Sequence, residues 1–214
     1  MRELLIQIVS VFSDRYSGWI LWNLFLAFIP LALSFWLFRQ RSAKSRNSLW
    51  WLALVVYVAF LPNAPYVLTD IIHFIRATRD GLSMVALIVA YIPLHVLSIL
   101  AGFEAYVVSL LNQGQYLRNH GAKRYIVWAE LMTHALAAVG VFIGRFRRFN
   151  SWDIISDPDG VLLQTLDDLT SKWPLAVILV MFLIITALYW VFKQITLGLV
   201  LRVRYARLGK EIEL

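Results

Sequence analysis

From Trp19 to Phe38 the chain runs for about twenty residues with only Asn23, Pro30 and Ser34 to interrupt its apolar character. A helix of that length is about 30 Å long, the thickness of a bilayer's hydrocarbon core. Further apolar runs follow at Leu49 to Leu61, with a broken continuation to about residue 75, at Leu82 to Leu111, at Tyr125 to Ile143 and at Pro174 to Phe192. A soluble globule has no use for so many. Hydrophobic residues make up 60% of the 214 and charged residues only 15%, against about 25% charged in ordinary soluble domains, and the mean hydropathy is +0.69. The reading is an all-α polytopic helical membrane protein, one membrane domain over 1–214, with about five transmembrane helices.

Two segments are too short or too mixed to cross. Leu4 to Phe12 carries Gln7 and Ser10 and reads as a short interfacial helix. Val161 to Trp173 alternates Leu162, Leu163, Leu166 and Leu169 with Gln164, Asp167 and Asp168, the pattern of an amphipathic helix lying on a surface. Between them, Asp157-Pro158-Asp159-Gly160 reads as a turn. The second span has its own difficulty, because Pro62 and Pro65 stop it after about 20 Å of helix. Backbone broken at that depth needs hydrogen-bond partners from protein or water.

Orientation follows from the connections. Twelve of the 20 lysines and arginines fall on one side: Arg39, Arg41, Lys44, Arg46, Arg118, Lys123, Arg124, Lys193, Arg202, Arg204, Arg207 and Lys210. Nine of the 13 acids fall on the other. The positive-inside rule makes the basic side cytoplasmic, so the N-terminus is extracytoplasmic and the C-terminus cytoplasmic. The net charge of +7 therefore reads as membrane anchoring, not as a nucleic-acid surface. With no cysteine there is no disulfide, thiolate-metal or thiol chemistry. Trp19, Trp50, Trp51, Trp128, Trp152 and Trp173 fall near span ends, where an aromatic belt forms.

Ionisable groups inside a bilayer are costly, so each is a functional candidate. Glu104, Glu130 and His134 form a candidate intramembrane polar cluster toward the cytoplasmic side, with Glu130 and His134 four apart on one helix face. They suit an interhelical clasp or a proton or cation relay. The extracytoplasmic side holds more. Asp70 and His73, three apart, offer a carboxylate and an imidazole, too few to specify a metal. Arg145, Arg147 and Arg148 lie on that same side, against the positive-inside bias, which asks for an anionic partner such as a lipid phosphate, Asp70 or Asp153. Candidate catalytic residues are Asp70, His73, Arg145 and Asp153, and candidate substrate-binding residues are Asn63, Tyr66, Arg148, Asn150 and Trp152. The cofactor is left unknown: His95 and His134, one to a span, are a thin basis for haem or chlorophyll.

Two stretches carry a resemblance. Leu61-Pro62-Asn63-Ala64-Pro65-Tyr66-Val67-Leu68-Thr69-Asp70-Ile71-Ile72-His73 and Gly144-Arg145-Phe146-Arg147-Arg148-Phe149-Asn150-Ser151-Trp152-Asp153 resemble a bacterial integral membrane family, the domain of unknown function 1361. Gly102-Phe103 also resembles its pattern. The resemblance implies a multi-pass protein of a bacterial plasma membrane, or of a thylakoid in a cyanobacterium, and supplies no activity. It groups both motifs into one site. The reading placed first is a non-catalytic accessory or assembly subunit, with membrane lipids and another membrane protein subunit as partners. The alternatives are a membrane-embedded enzyme acting on a lipid-linked or phosphorylated substrate, and a small transporter component.

Overall fold

The computed structural model describes residues 2–13, 17–39, 46–79, 82–150 and 152–208. Of the residues named above, Arg41, Lys44, Ser151 and Lys210 lie outside the described residues. Among the described residues every regular element is helical: α1 (Arg2–Val11), α2 (Gly18–Arg39), α3 (Ser48–Phe60), α4 (Asn63–Tyr66), α5 (Ile71–Arg79), α6 (Met84–Ala86), α7 (Ile92–Asn119), α8 (Ile126–Phe142), α9 (Asp153–Ser156), α10 (Pro158–Thr170) and α11 (Lys172–Arg207). Five continuous helical stretches are long and apolar enough to cross a membrane: Gly18–Arg39, Ser48–His73, Met84–Asn119, Lys123–Arg147 and Lys172–Arg207. They overlap the five apolar runs of the sequence but differ at their ends: the second stops at His73, the third runs from Met84 to Asn119, and the fifth reaches Arg207. The last is 36 residues, about 54 Å of helix, and carries Arg202, Arg204 and Arg207 well past an apolar core about 30 Å thick.

The prolines of the second span interrupt it as expected: α3 ends at Phe60 and helix resumes at Asn63, without a change of backbone region. Leu61, Pro62, Tyr66 and Val67 all keep right-handed helical backbone, and a 3-10 turn over Val67–Asp70 joins α4 to α5. Side chains add hydrogen bonds to backbone carbonyls in this irregular stretch: the Asn63 amide donates to the Phe60 carbonyl (2.9 Å) and the Thr69 hydroxyl to the Tyr66 carbonyl (2.6 Å). Pro93 has a parallel effect in the third span, where a wider π turn over Leu87–Tyr91 absorbs the missing N–H ahead of α7.

Glycines let the second span lie close to its neighbours. A Cβ on Gly102 would stand 2.8 Å from Val67, and one on Gly140 would stand 2.5 Å from the Pro62 ring. Small residues at such crossings let helix backbones approach where no hydrophobic effect drives association. Around them one apolar core draws Ala27 from α2, Tyr57 from α3, Ala64 from α4, Phe103 from α7, Ala138 and Phe142 from α8 and Ile185 from α11.

The short helix α1 packs beside the start of the third span: Val11 is buried with Leu82, Leu87 and Tyr91, and the Gln7 side chain accepts the Ser83 N–H at 3.2 Å. The expected turn at Asp157 to Gly160 proves to be a helix start. Asp157 caps α10 by accepting the Gly160 N–H at 3.1 Å, and Pro158 occupies the first helical position, where its missing N–H costs nothing.

Candidate functional site

The five spans alternate in direction, so the start of α2, the end of the second span and the end of α8 meet at one end of the bundle. Asp70 lies there, 2% exposed. A carboxylate in that position needs partners, and three elements supply them. Arg145, from the π turn Ile143–Arg147 that ends the fourth span, reaches Asp70 Oδ1 at 2.7 Å. Asn23 of α2 donates to Asp70 Oδ2 at 2.8 Å. His73 Nε2 stands 4.0 Å from Oδ1, and its ring stacks on Trp19 with centroids 4.1 Å apart. Arg145 also donates through Nε to the Thr69 hydroxyl at 2.8 Å and lies over the Tyr66 ring at 4.4 Å.

The structure thus joins Asp70, His73 and Arg145. Asp153 stands apart from them: it caps its own turn, accepting the Asn150 backbone N–H at 2.5 Å. Asn23 and Thr69 complete the Asp70 network and were not among the sequence candidates. A polar residue one helical turn inside the first span was the available signal for Asn23.

Beside this network a cavity of about 460 Å³ opens between α2, the second span and α8. Asn63, Tyr66, Arg148, Asn150 and Trp152 all line it, so the Pro-Asn-Ala-Pro and Asn-Ser-Trp-Asp stretches share one hollow. Its deeper wall is apolar, with Leu26, Val58, Leu136 and Val139. None of Asp70, His73, Arg145 and Asp153 is among the lining residues. Tyr66 is the partition, facing the cavity while its ring carries Arg145.

Each of the three clustered arginines takes a different environment. Arg145 turns inward to Asp70. Arg147 pairs with Asp168 of α10, a residue 1% exposed, with Nε to Oδ2 at 3.1 Å. Arg148 has left-handed backbone at φ 61°, lies exposed and lines the cavity. The Arg147–Asp168 bond fastens α10 to the end of the fourth span, which gives the amphipathic helix its anchor.

Glu104, Glu130 and His134 lie on α7 and α8 and take partners elsewhere; among the described residues no hydrogen bond links them to one another. Glu104 accepts from the Thr196 hydroxyl at 2.7 Å. Glu130 accepts from Tyr189 at 2.7 Å and from Lys193 at 2.5 Å. His134 Nδ1 pairs with the Tyr106 hydroxyl at 2.7 Å. The partners of both acids come from α11, so these residues stitch the last span to the bundle. Lys193, counted above with the basic connections, is an interior residue of α11. At the same end Asn112 and Ser34, both fully buried, bond at 2.8 Å, and Arg39 Nε donates to Asn112 at 2.7 Å.

No group of three or more metal-ligating His, Cys, Asp or Glu side chains occurs among the described residues. Fold and composition define a multi-pass helical membrane protein. The family model described as "Protein of unknown function (DUF1361)" matches residues 22–187, more than half of the chain and both motifs with it, and the chain belongs to that family. Among curated proteins and among solved structures nothing matches it.

Proposed function

We propose that the protein is a non-catalytic accessory or assembly subunit of a membrane, built as one domain over 1–214, with its N-terminus extracytoplasmic and its C-terminus cytoplasmic. One observation carries this reading. The two buried acids are neutralised from within the chain, Asp70 by Arg145 and Asp168 by Arg147, and half-buried Glu130 is paired with Lys193, each pair tying together different elements. Among the described residues, the open cavity beside them is lined by no Asp, Glu, His or Lys. A general base must reach its proton within about 3 Å, and an acid locked to a guanidinium on the far side of Tyr66 does not.

That division supports binding without turnover over the alternative of an enzyme acting on a lipid-linked or phosphorylated substrate. A transporter component is supported less still. His95 and Tyr106 are eleven residues apart on α7, about 16 Å, and buried Phe103 lies in the intervening stretch, within the apolar core. The orientation rests on the basic end, where Arg39, Arg46, Arg118, Lys123, Arg124, Arg202, Arg204 and Arg207 gather. Partners are membrane lipids and another membrane subunit, for which α11 offers exposed Leu179, Leu183 and Trp190.

The test separates scaffold from chemistry. Asp70→Asn and Arg145→Gln are expressed in a strain lacking the chromosomal copy, and abundance, thermal midpoint in detergent and complementation are measured together. The accessory role predicts that abundance and midpoint fall, with complementation tracking the folded protein that remains. Complementation lost at wild-type abundance and midpoint would overturn it.

A further inference from the structure

The cavity has a direction. Its deeper wall, formed by Leu26, Val58, Leu136 and Val139, is apolar, and its lining becomes polar toward Asn63, Arg148 and Asn150. Along α8 and into the π turn that follows it the lining runs from Leu136 to Gly144, about 12 Å of rise. Trp22 and Trp152 at its polar end are half exposed, the placement aromatic side chains take at a membrane interface. The hollow thus has the polarity of one leaflet: hydrocarbon below, headgroup level above.

Charge then selects the occupant. Among the described lining residues Arg148 is the one charged side chain, and Arg145 and Arg147 beside it are each already paired with a buried carboxylate. A guanidinium at a headgroup level, with its five donors arranged as a planar fork, fits the oxygens of a phosphate. The apolar wall beneath would take acyl chain.

We infer that the cavity between α2, the second span and α8 is a binding site for a phosphate-bearing membrane lipid, its phosphodiester held by Arg148 and its acyl chain lying against Val58, Leu136 and Val139. This goes beyond the accessory role and does not depend on it, since an enzyme or a transporter would hold a lipid there by the same contacts.

The test uses the full chain, delipidated in mild detergent, with native mass spectrometry and a titration. The probes are dioleoyl phosphatidylglycerol, dioleoylglycerol with the same chains and no phosphate, and inorganic phosphate. One saturable phosphatidylglycerol site is expected, with dioleoylglycerol binding at least tenfold more weakly and inorganic phosphate failing to compete. Arg148→Asn, chosen because asparagine accepts left-handed backbone, is expected to weaken the phosphatidylglycerol site about tenfold or more, as loss of a charge-assisted hydrogen bond does. Val58→Trp, which fills the groove from an exposed position, is expected to abolish it. Arg204→Gln at the far end leaves it unchanged. Equal affinity for dioleoylglycerol, an unaltered site in Arg148→Asn at an unchanged thermal midpoint, or binding of inorganic phosphate as tight as the lipid's would each overturn the proposal.

Discussion

The sealed network around Asp70 and the open cavity next to it are built from the same two stretches of chain, and they treat charge in opposite ways. Around Asp70 both ions are largely withdrawn from solvent, with Arg145 18% and Asp70 2% exposed. In the cavity one arginine stands exposed and faces a largely apolar hollow. Desolvated ions are held only where geometry supplies every partner, and the partners of Asp70 come from three separate elements. An exposed cation keeps its water until a ligand replaces it. Three arginines within four residues thus divide between scaffold and surface by the direction in which the backbone aims each one.

The comparison breaks most readily at Asp70. Replacing it with alanine strands Arg145, and removal of one partner from a buried pair costs about 3 to 5 kcal/mol. Thermal denaturation in detergent should show the largest loss of any variant here; if Arg148→Ala costs as much, the two halves do not differ in kind. Next in size is the stitch from α8 to α11. A double-mutant cycle on Glu130→Gln and Lys193→Gln should return a coupling of about 1 to 3 kcal/mol, and additive effects would mean that the two side chains do not act as a pair.

Gly140→Ala presses a methyl group into the Pro62 ring, an overpacking expected to cost about 1 to 3 kcal/mol. It should also narrow the cavity, because Gly140 and Pro62 both line it; a cysteine at position 63 labelled by a thiol reagent would report the change as slower modification. Smaller again is the cap of α10. Asp157→Ala should cost about 1 kcal/mol, seen in the thermal midpoint while the labelling rate at the cavity stays at its wild-type value. Arg148→Ala closes the series, with a stability change within about 0.5 kcal/mol.

Much of the architecture is legible in the sequence. The five crossings follow from the length of apolar chain a bilayer demands, and the side-by-side placement of the two motifs follows from the alternating direction of the spans. What hydropathy does not encode is rotation. The spans are apolar around much of their circumference, so the pattern does not say which way each polar residue points. Hence the spacing groups Glu130 with His134, four residues along its own helix, while its partners are Tyr189 and Lys193 on another. Asp168 read as one acid on a surface helix, and its burial against Arg147 appears only once α10 is docked. Pro62 and Pro65 make the interruption between α3 and α4 legible, because the effect of proline on backbone hydrogen bonding is local, whereas the bonds from Asn63 and Thr69 to nearby carbonyls depend on side-chain geometry.

From its amino acids alone the chain was bound to cross a membrane about five times, with its basic connections gathered at one end, since no other arrangement hides so much hydrocarbon while keeping those charges wet. Only the packed helices decided that Arg145 would face Asp70, Arg147 would face Asp168 and Arg148 would face a hollow. Partner choice depends on helix rotation and on the π turn that ends the fourth span, and those are settled by contacts between segments distant in sequence.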